Sequence, residues 1–226
     1  MFASLIAPIR RSRPGALAVG GSIVHREYSR QPKATTAVYN RRALGEKRHG
    51  PAPILLGAAL AYARRGVPVF PCEPGGKRPL THNGFWDSTT ETRRIKAWWS
   101  RWPAANVGVP TGGRSGLVVL DIDPRGGGFE SLALLERKHG PLPETARSRT
   151  GGGGVHVFFR YPATETVRNS AGALGAGLDV RGEGGYVVVP PSRTRSAYEW
   201  IDRSPPAEPP WLLLRLREHA GEETLF

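Results

Sequence analysis

The segment Leu117-Val118-Val119-Leu120-Asp121-Ile122-Asp123 carries the strongest structural signal in the chain. Its aliphatic and β-branched residues predict a strand. Side chains alternate between the two faces of a strand, so Asp121 and Asp123 share one face while the apolar residues between them fill the other. Two such carboxylates repel each other unless a cation lies between them, and their hard oxygens suit Mg²⁺ or Mn²⁺. A strand end that runs into a turn at Pro124 explains the same residues equally well.

A run of four glycines at 151–154 leads into a second predicted strand, Val155–Arg160. His156 lies on the face of this strand opposite Val155, Val157 and Phe159. Glycines allow a backbone or a polyphosphate to approach closely, which makes Gly153 and Gly154 candidate nucleotide contacts. A loose hairpin turn followed by a surface histidine is the alternative. The run lacks the Lys-Ser/Thr pair of a Walker A loop.

A third polar strand face is predicted within Gly177–Tyr186. Asp179 and Arg181 alternate there with apolar residues, so a carboxylate and a phosphate-binding cation share one face. A salt-bridged edge strand with a Gly-Gly hairpin would give the same pattern. Three strands that each present polar chemistry opposite an apolar face together favour an active site on an open sheet.

The remaining pattern predicts helices that interleave with strands joined by short glycine-rich turns. Such a mixture favours an α/β sandwich with a mixed sheet over a doubly wound parallel sheet. The helices are predicted at 54–65, 90–102, 129–139 and 209–219. Ile95, Trp98, Trp99 and Trp102 follow helical spacing, which indicates a core stripe rather than a base-stacking surface.

Charge is unevenly distributed along the 226 residues. Residues 1–50 hold ten of the 32 basic side chains and two of the 19 acidic ones, which is +8 of the total +13. We expect a disordered basic arm at 1–50, a catalytic domain at 51–204, and a C-terminal helix and tail at 205–226. The arm fits a nucleic-acid tether, an organelle transit peptide or a plain extension.

Composition also excludes some classes of protein. The single cysteine, Cys72, cannot build an internal disulfide framework or a cysteine-based zinc module. It favours a reducing compartment, and we expect the cytoplasm. Apolar runs are too short to span a bilayer, so no membrane is expected as a partner. The strongly basic balance points to a phosphate-bearing partner.

Six motifs in order resemble the bifunctional DNA primase/polymerase N-terminal domain, the prim-pol branch of the archaeo-eukaryotic primase superfamily. They surround a tryptophan-rich helix and cover roughly residues 54–201. They read Gly-Lys-Arg-Pro (76–79), Asn-Val-Gly-Val-Pro-Thr-Gly (106–112), Leu-Val-Val-Leu-Asp-Ile-Asp (117–123), Gly-Gly-Val-His (153–156), Gly-Leu-Asp-Val-Arg-Gly (177–182) and Gly-Tyr-Val-Val-Val-Pro-Pro-Ser (185–192).

The resemblance implies an α+β fold: a mixed or antiparallel RRM-like sheet with helices packed on one side, preceded by a small α/β unit. It implies template-directed nucleotidyl transfer with two divalent metals, Mg²⁺ or Mn²⁺, in DNA replication of a mobile element or phage. The implied partners are a single-stranded DNA template and nucleoside triphosphates, with room for a separate helicase. Asp121, Asp123 and Asp179 match the metal-binding acids of the family.

The resemblance also assigns nucleotide contacts. His156 matches the histidine that contacts the incoming nucleotide, and Arg181 and Ser192 lie in segments near it. Gly154 stands where the superfamily often has a serine. This departure argues against a hydroxyl contact to phosphate at that position, where backbone amides could serve instead. Candidate contacts to template or triphosphate are Lys77, Arg78, Arg147 and Arg149. The alternatives are a catalytically idle nucleic-acid-binding module and a metal-dependent nuclease or phosphohydrolase.

Overall fold

The computed structural model describes residues 51–209, with side chains from Ile54 onward. The predicted basic arm at 1–50 and all but the first residue of the helix predicted at 209–219 lie outside the described residues. Within the described part, three α-helices and nine strands form an α+β fold, as predicted.

The elements follow one another in short succession. The helices are α1 (Pro51–Arg64), α2 (Thr92–Arg101) and α3 (Gly128–His139), and two 3-10 helices span Gly84–Asp87 and Pro124–Gly126. The strands are β1 (Phe70–Cys72), β2 (Asn106–Pro110), β3 (Leu117–Ile122), β4 (Arg147–Arg149), β5 (Val155–Arg160), β6 (Ser170–Ala171), β7 (Leu178–Arg181), β8 (Tyr186–Val189) and β9 (Glu199–Asp202).

Two antiparallel sheets organise these strands. The larger has the order β6-β7-β3-β5-β4-β9, so the strand that carries Asp121 lies between the strands that carry Asp179 and His156. The smaller has the order β1-β2-β8, and its third strand returns from late in the chain. The predicted α/β unit therefore does not lie wholly before the larger sheet in the sequence. Its third strand, β8, comes after β7 of the larger sheet.

Both faces of the larger sheet are packed. One face buries Leu120, Phe159 and Val180 with Leu135 of α3. The other face buries Val119 and Phe158 together with residues of α1, α2 and the smaller sheet. The face that carries the acids is therefore partly covered by α1, α2 and the smaller sheet. Less of this face is open to solvent than the sequence pattern predicted.

The tryptophan stripe of α2 belongs to this second core, as its spacing predicted. Ile95 and Trp99 are buried, and the Trp99 indole donates to the Ala105 carbonyl over 3.1 Å. Trp98 and Trp102 are partly buried at the edge of the same cluster. An aromatic stripe at helical spacing thus serves packing here.

None of the helices within residues 51–209 combines the length and the apolar character needed to cross a membrane.

Candidate active site

Strand register brings three of the predicted residues into one row. Asp121 of β3 is paired with Asp179 of β7 on one side and with His156 of β5 on the other. Ser148 of β4 extends the row beyond the histidine. Directly paired residues on adjacent strands have side chains on the same face, so this face carries two acids and an imidazole next to one another. We call Asp179, Asp121 and His156 the acid row.

Arg181 links the two acids of the row. Its Nη2 donates to Asp179 Oδ2 over 2.9 Å and lies 3.9 Å from Asp121 Oδ2. Burial raises the pKa of Asp121 above its usual range, while the positive charges of Lys77 and Arg181 oppose that shift. A partly buried carboxylate with a shifted pKa and neighbouring charges is typical of a functional site.

Asp123 follows the last residue of β3 and caps the 3-10 helix Pro124–Gly126. Its Oδ1 accepts from the Arg125 amide at 2.9 Å, and its Oδ2 accepts from Arg125 Nη2 at 2.9 Å. These bonds hold the pKa of Asp123 below its usual range. Asp123 raises the pKa of Asp121, which indicates that the two charges interact.

The donors suit a divalent ion in kind, since three carboxylates offer hard oxygen ligands. Among residues 51–209, however, no three histidine, cysteine or acidic side chains already converge as a metal site. The Asp123 carboxylate is turned to Arg125 instead. The three carboxylates fit Mg²⁺ or Mn²⁺ by chemistry. To bind an ion together with the other two acids, the Asp123 carboxylate would have to release Arg125.

His156 is buried, contrary to the alternative of a surface histidine. Its side chain is 3% exposed, and Nε2 lies 3.6 Å from Asp121 Oδ1. Burial lowers the pKa of His156 to about 3, helped by the charges of Lys77 and Arg181. The imidazole is therefore neutral near pH 7, and its contact with Asp121 is not an ion pair. Within the described residues, its Nδ1 and the hydroxyls of Ser148 and Tyr198 have no hydrogen-bond partner.

A basic cleft of about 290 Å³ opens between loops from four parts of the chain. Three cations line it and none of its described lining residues is acidic; the lining comprises Gly75, Gly76, Lys77, Arg125, Gly151, Gly152, Thr194 and Arg195. Lys77 connects the cleft to the acid row, because its charge acts on the pKa values of both Asp121 and His156. A cleft with bare backbone and concentrated positive charge can hold a polyphosphate.

The glycine run serves two different purposes. Gly151 and Gly152 line the cleft, and a Cβ on Gly151 would come within 2.1 Å of Thr194 Oγ1. Gly154 packs on the neighbouring strand instead, where a Cβ would lie 2.2 Å from the Ile122 carbonyl oxygen. Gly153 has φ +90 and belongs to the turn, with its amide bonded to Thr150. The predicted contacts Gly153 and Gly154 thus neighbour the cleft without lining it.

Other predicted residues lie apart from the acid row. Arg78 is held by Glu73, with Nε 2.9 Å from its carboxylate. Arg147 and Arg149 are paired with Val157 and Val155, so they share the face opposite His156. Arg149 also contacts Glu199 over 3.1 Å.

Ser192 is fully buried, and its hydroxyl accepts from the Val107 amide at 2.8 Å. It therefore stabilises the junction between β2 and the segment that follows β8. This side chain is not among those that line the basic cleft.

Several residues of the site were missed by the sequence patterns. They are Arg125, Thr194 and Arg195. Arg125 follows Asp123 in a Pro-Arg turn, and this proximity was the one available signal. Thr194 and Arg195 lie in a polar loop far along the chain and carry no pattern of their own.

The family model described as bifunctional DNA primase/polymerase, N-terminal, matches residues 59–211. The match includes the acid row, Asp123 and every residue that lines the cleft. No curated protein matches the chain at a significant level. The family match extends over more than half of the sequence, and the chain belongs to the bifunctional DNA primase/polymerase N-terminal family.

Proposed function

We propose that this protein is a DNA primase/polymerase-type nucleotidyltransferase that extends a strand on a single-stranded DNA template. Its substrates are nucleoside triphosphates, and its cofactors are two divalent ions, Mg²⁺ or Mn²⁺. The observation that carries the proposal is the register of the larger sheet, which pairs Asp121 with both Asp179 and His156. Asp123 stands at the end of the same strand.

Asp121, Asp123 and Asp179 are the residues that would hold the ions. When bound, such ions acidify the attacking hydroxyl and stabilise charge on the phosphates in transfer reactions of this kind. Arg181 and Arg125 partly neutralise two of these carboxylates, Asp179 and Asp123. Both arginines are therefore positioned to turn to phosphate oxygens once the carboxylates bind a cation.

The basic cleft is suited to the triphosphate. Lys77, Arg125 and Arg195 supply positive charge, and the glycines around them leave backbone accessible. His156 contributes differently from a cation, because burial keeps it neutral. A neutral imidazole can donate one hydrogen bond to a phosphate oxygen, so charge neutralisation falls to the lysine and the arginines.

One observation favours a second candidate, the idle nucleic-acid-binding module. The Asp123 carboxylate is engaged by Arg125 through a bidentate contact, as in a purely structural cap. If this bond is permanent, the site lacks its third acid. The two candidates differ in whether binding leads to chemistry.

A labelled primer on a single-stranded template separates the candidates. We expect longer products with Mg²⁺ or Mn²⁺ and no products with chelator, using each nucleotide type and repeating without primer. Binding without any change of length would favour the idle module, and shortened products would favour a nuclease on the same carboxylates. Either outcome would contradict the proposal.

A further inference from the structure

An exposed aromatic side chain lies outside the site described above. Trp86, in the 3-10 helix Gly84–Asp87, is 53% exposed, which is unusual for an indole. The Arg114 guanidinium lies 5.4 Å from the centre of its ring. Arg114 Nη1 also donates to the Trp86 carbonyl over 3.1 Å, so the cation is held beside the ring by two contacts.

The segment that carries Trp86 is held rigidly. Asp87 accepts from the Asn83 amide at 2.9 Å and pairs with Arg94 of α2 at 3.3 Å. The hydroxyl of Thr81 donates to the Gly84 carbonyl over 2.6 Å. A ring displayed on a fixed turn loses little freedom on binding a ligand, which favours a binding role.

Aromatic contacts connect this turn to the acid row. The Phe85 ring lies 4.6 Å from Trp86 and stacks on Tyr186 at 5.7 Å. Tyr186 begins β8, and the four residues before it form the turn after Arg181, closed by a 3.2 Å bond from the Gly185 amide to Gly182. The Arg181 guanidinium acts on the pKa of Tyr186, opposing the rise caused by burial. We call Trp86, Phe85 and Tyr186 the aromatic ladder.

The ladder and the basic cleft lie at opposite ends of the site. The cleft includes Arg125, just beyond Asp123 at the end of β3. Arg181 is paired with Val119, two residues before Asp121 on the same strand. A ligand that has its phosphates in the cleft and follows β3 past the acids would reach the ladder. Within the ladder, Phe85 lies between Tyr186 and Trp86. That distance favours a base of a separate strand over the base of the nucleotide itself.

We propose that Trp86, backed by Arg114, is a stacking platform for an unpaired base of the single-stranded template. The base stacks on the indole, and Arg114 contacts the adjoining phosphate. Exposed aromatic rings beside arginines bind single strands in this way without reading sequence. The inference rests on the proposed function, because it assumes that a template passes the acid row.

The test measures binding of labelled oligothymidine by the full chain, using fluorescence anisotropy. Trp86→Ala should weaken binding by at least about fivefold, the loss expected for one stacked base. Trp86→Phe, which keeps an aromatic face, should stay within about twofold of the wild type. Phe129→Ala is the matched control, because Phe129 is 44% exposed on α3, which packs on the other face of the sheet.

An abasic oligonucleotide of equal length identifies the contact. Wild type and Trp86→Ala should bind it equally, because it offers phosphates but no base to stack. Arg114→Ala should reduce the salt dependence of binding, and Trp86→Ala should leave that dependence unchanged. The Michaelis constant for the nucleotide should not change in Trp86→Ala.

Equal binding of oligothymidine by wild type and Trp86→Ala would overturn the inference, as would an equal loss on the abasic strand. If Trp86→Ala raised only the Michaelis constant for the nucleotide, the indole would contact the incoming nucleotide instead of the template. That result would also overturn the inference. Extension by the wild type, measured on the same template, tests the proposed function separately. Binding that depends on Trp86 without extension would contradict that function and leave the platform intact.

Discussion

Burial is the largest influence on the protonation of His156, which takes part in the acid row. The folded protein lowers its pKa from the ordinary value of 6.5 to about 3. Between these values the unfolded chain binds a proton that the folded chain does not. Folding therefore loses stability as the pH falls below 6.5, by at most about 1.4 kcal/mol for each pH unit.

Replacing this histidine should flatten the dependence of stability on pH. From about pH 7 to about pH 5.5, His156→Gln should lose about 1 kcal/mol less unfolding free energy than the wild type. Asp121 has a raised pKa and acts in the opposite direction, so only the difference between the two proteins is informative. Urea unfolding at both pH values measures it. Parallel losses in the two proteins would show that His156 is protonated in the fold.

Residue alternation predicted much of the acid row, because the side-chain period of a strand is local. It placed Asp121 and Asp123 together and put His156 on the polar face of its own strand. It could not foresee that His156 is buried, with the Tyr198 ring 6.0 Å from its own. Nor could it find Arg195, since the cleft joins loops that are distant in sequence.

At the scale of elements, the turn before β5 depends on how closely two strands approach. Gly154 lies against the carbonyl of Ile122, where a Cβ would be 2.2 Å away. We predict that Gly154→Ala destabilises the protein by about 1–3 kcal/mol, the cost typical of overpacking. Urea unfolding of the purified variant measures this loss.

Gly57 provides the matched control for that substitution. It is exposed within α1, and a Cβ there would meet nothing within 4 Å. Gly57→Ala should therefore raise stability by about 0.5–1 kcal/mol through helix propensity. If both alanines had the same effect, close strand packing at Gly154 would not be the reason for a glycine there.

Regular elements followed from sequence where their patterns were long enough. The strand predicted at 155–160 is confirmed at the same bounds, and β7 lies within the predicted segment 177–186. The two-residue strand β6 and the 3-10 helix Gly84–Asp87 were not predicted, because such short elements form mainly through tertiary contacts. Because this 3-10 helix carries Trp86, the periodicity of the sequence could not predict the aromatic ladder either.

At the scale of the whole molecule, the two sheets share one core and are joined by hydrogen bonds at their ends. Thr111, after β2, donates its hydroxyl to the Gly182 carbonyl over 2.6 Å. Its amide donates to the Gly185 carbonyl over 2.9 Å. Thr111→Val keeps the side-chain shape and removes the hydroxyl. It should cost about 0.5–1.5 kcal/mol, the net value of one hydrogen bond, because the Gly182 carbonyl still accepts from the Gly185 amide.

Unfolding followed by tryptophan fluorescence and by circular dichroism tests this coupling. The two signals should change together in wild type and in Thr111→Val, at a lower urea concentration in the variant. Separate transitions would show that the sheets unfold independently. An unchanged midpoint would show that the hydroxyl contributes nothing.

Net charge proved less informative than the arrangement of charge. The sequence carries +13, and eight of those charges fall in residues 1–50, outside the described structure. The candidate site instead combines a cluster of carboxylates with a basic cleft beside it. Order along the chain could not predict that β8 returns to complete the smaller sheet, because pairing over that distance leaves no local pattern.

Incorporation of a single nucleotide in one turnover tests the central claim most directly. The comparison uses wild type, Asp121→Asn and Asp179→Asn, with Asp202→Asn as control. Asp202 ends the edge strand β9, away from the acid row, and accepts from the Ser204 amide. Template binding and folding should be unchanged in all four proteins. We predict that the two row variants lose at least about a hundredfold in rate with Mg²⁺ or Mn²⁺, while the control keeps the wild-type rate. Wild-type incorporation by Asp121→Asn or Asp179→Asn would contradict the assignment of the acid row.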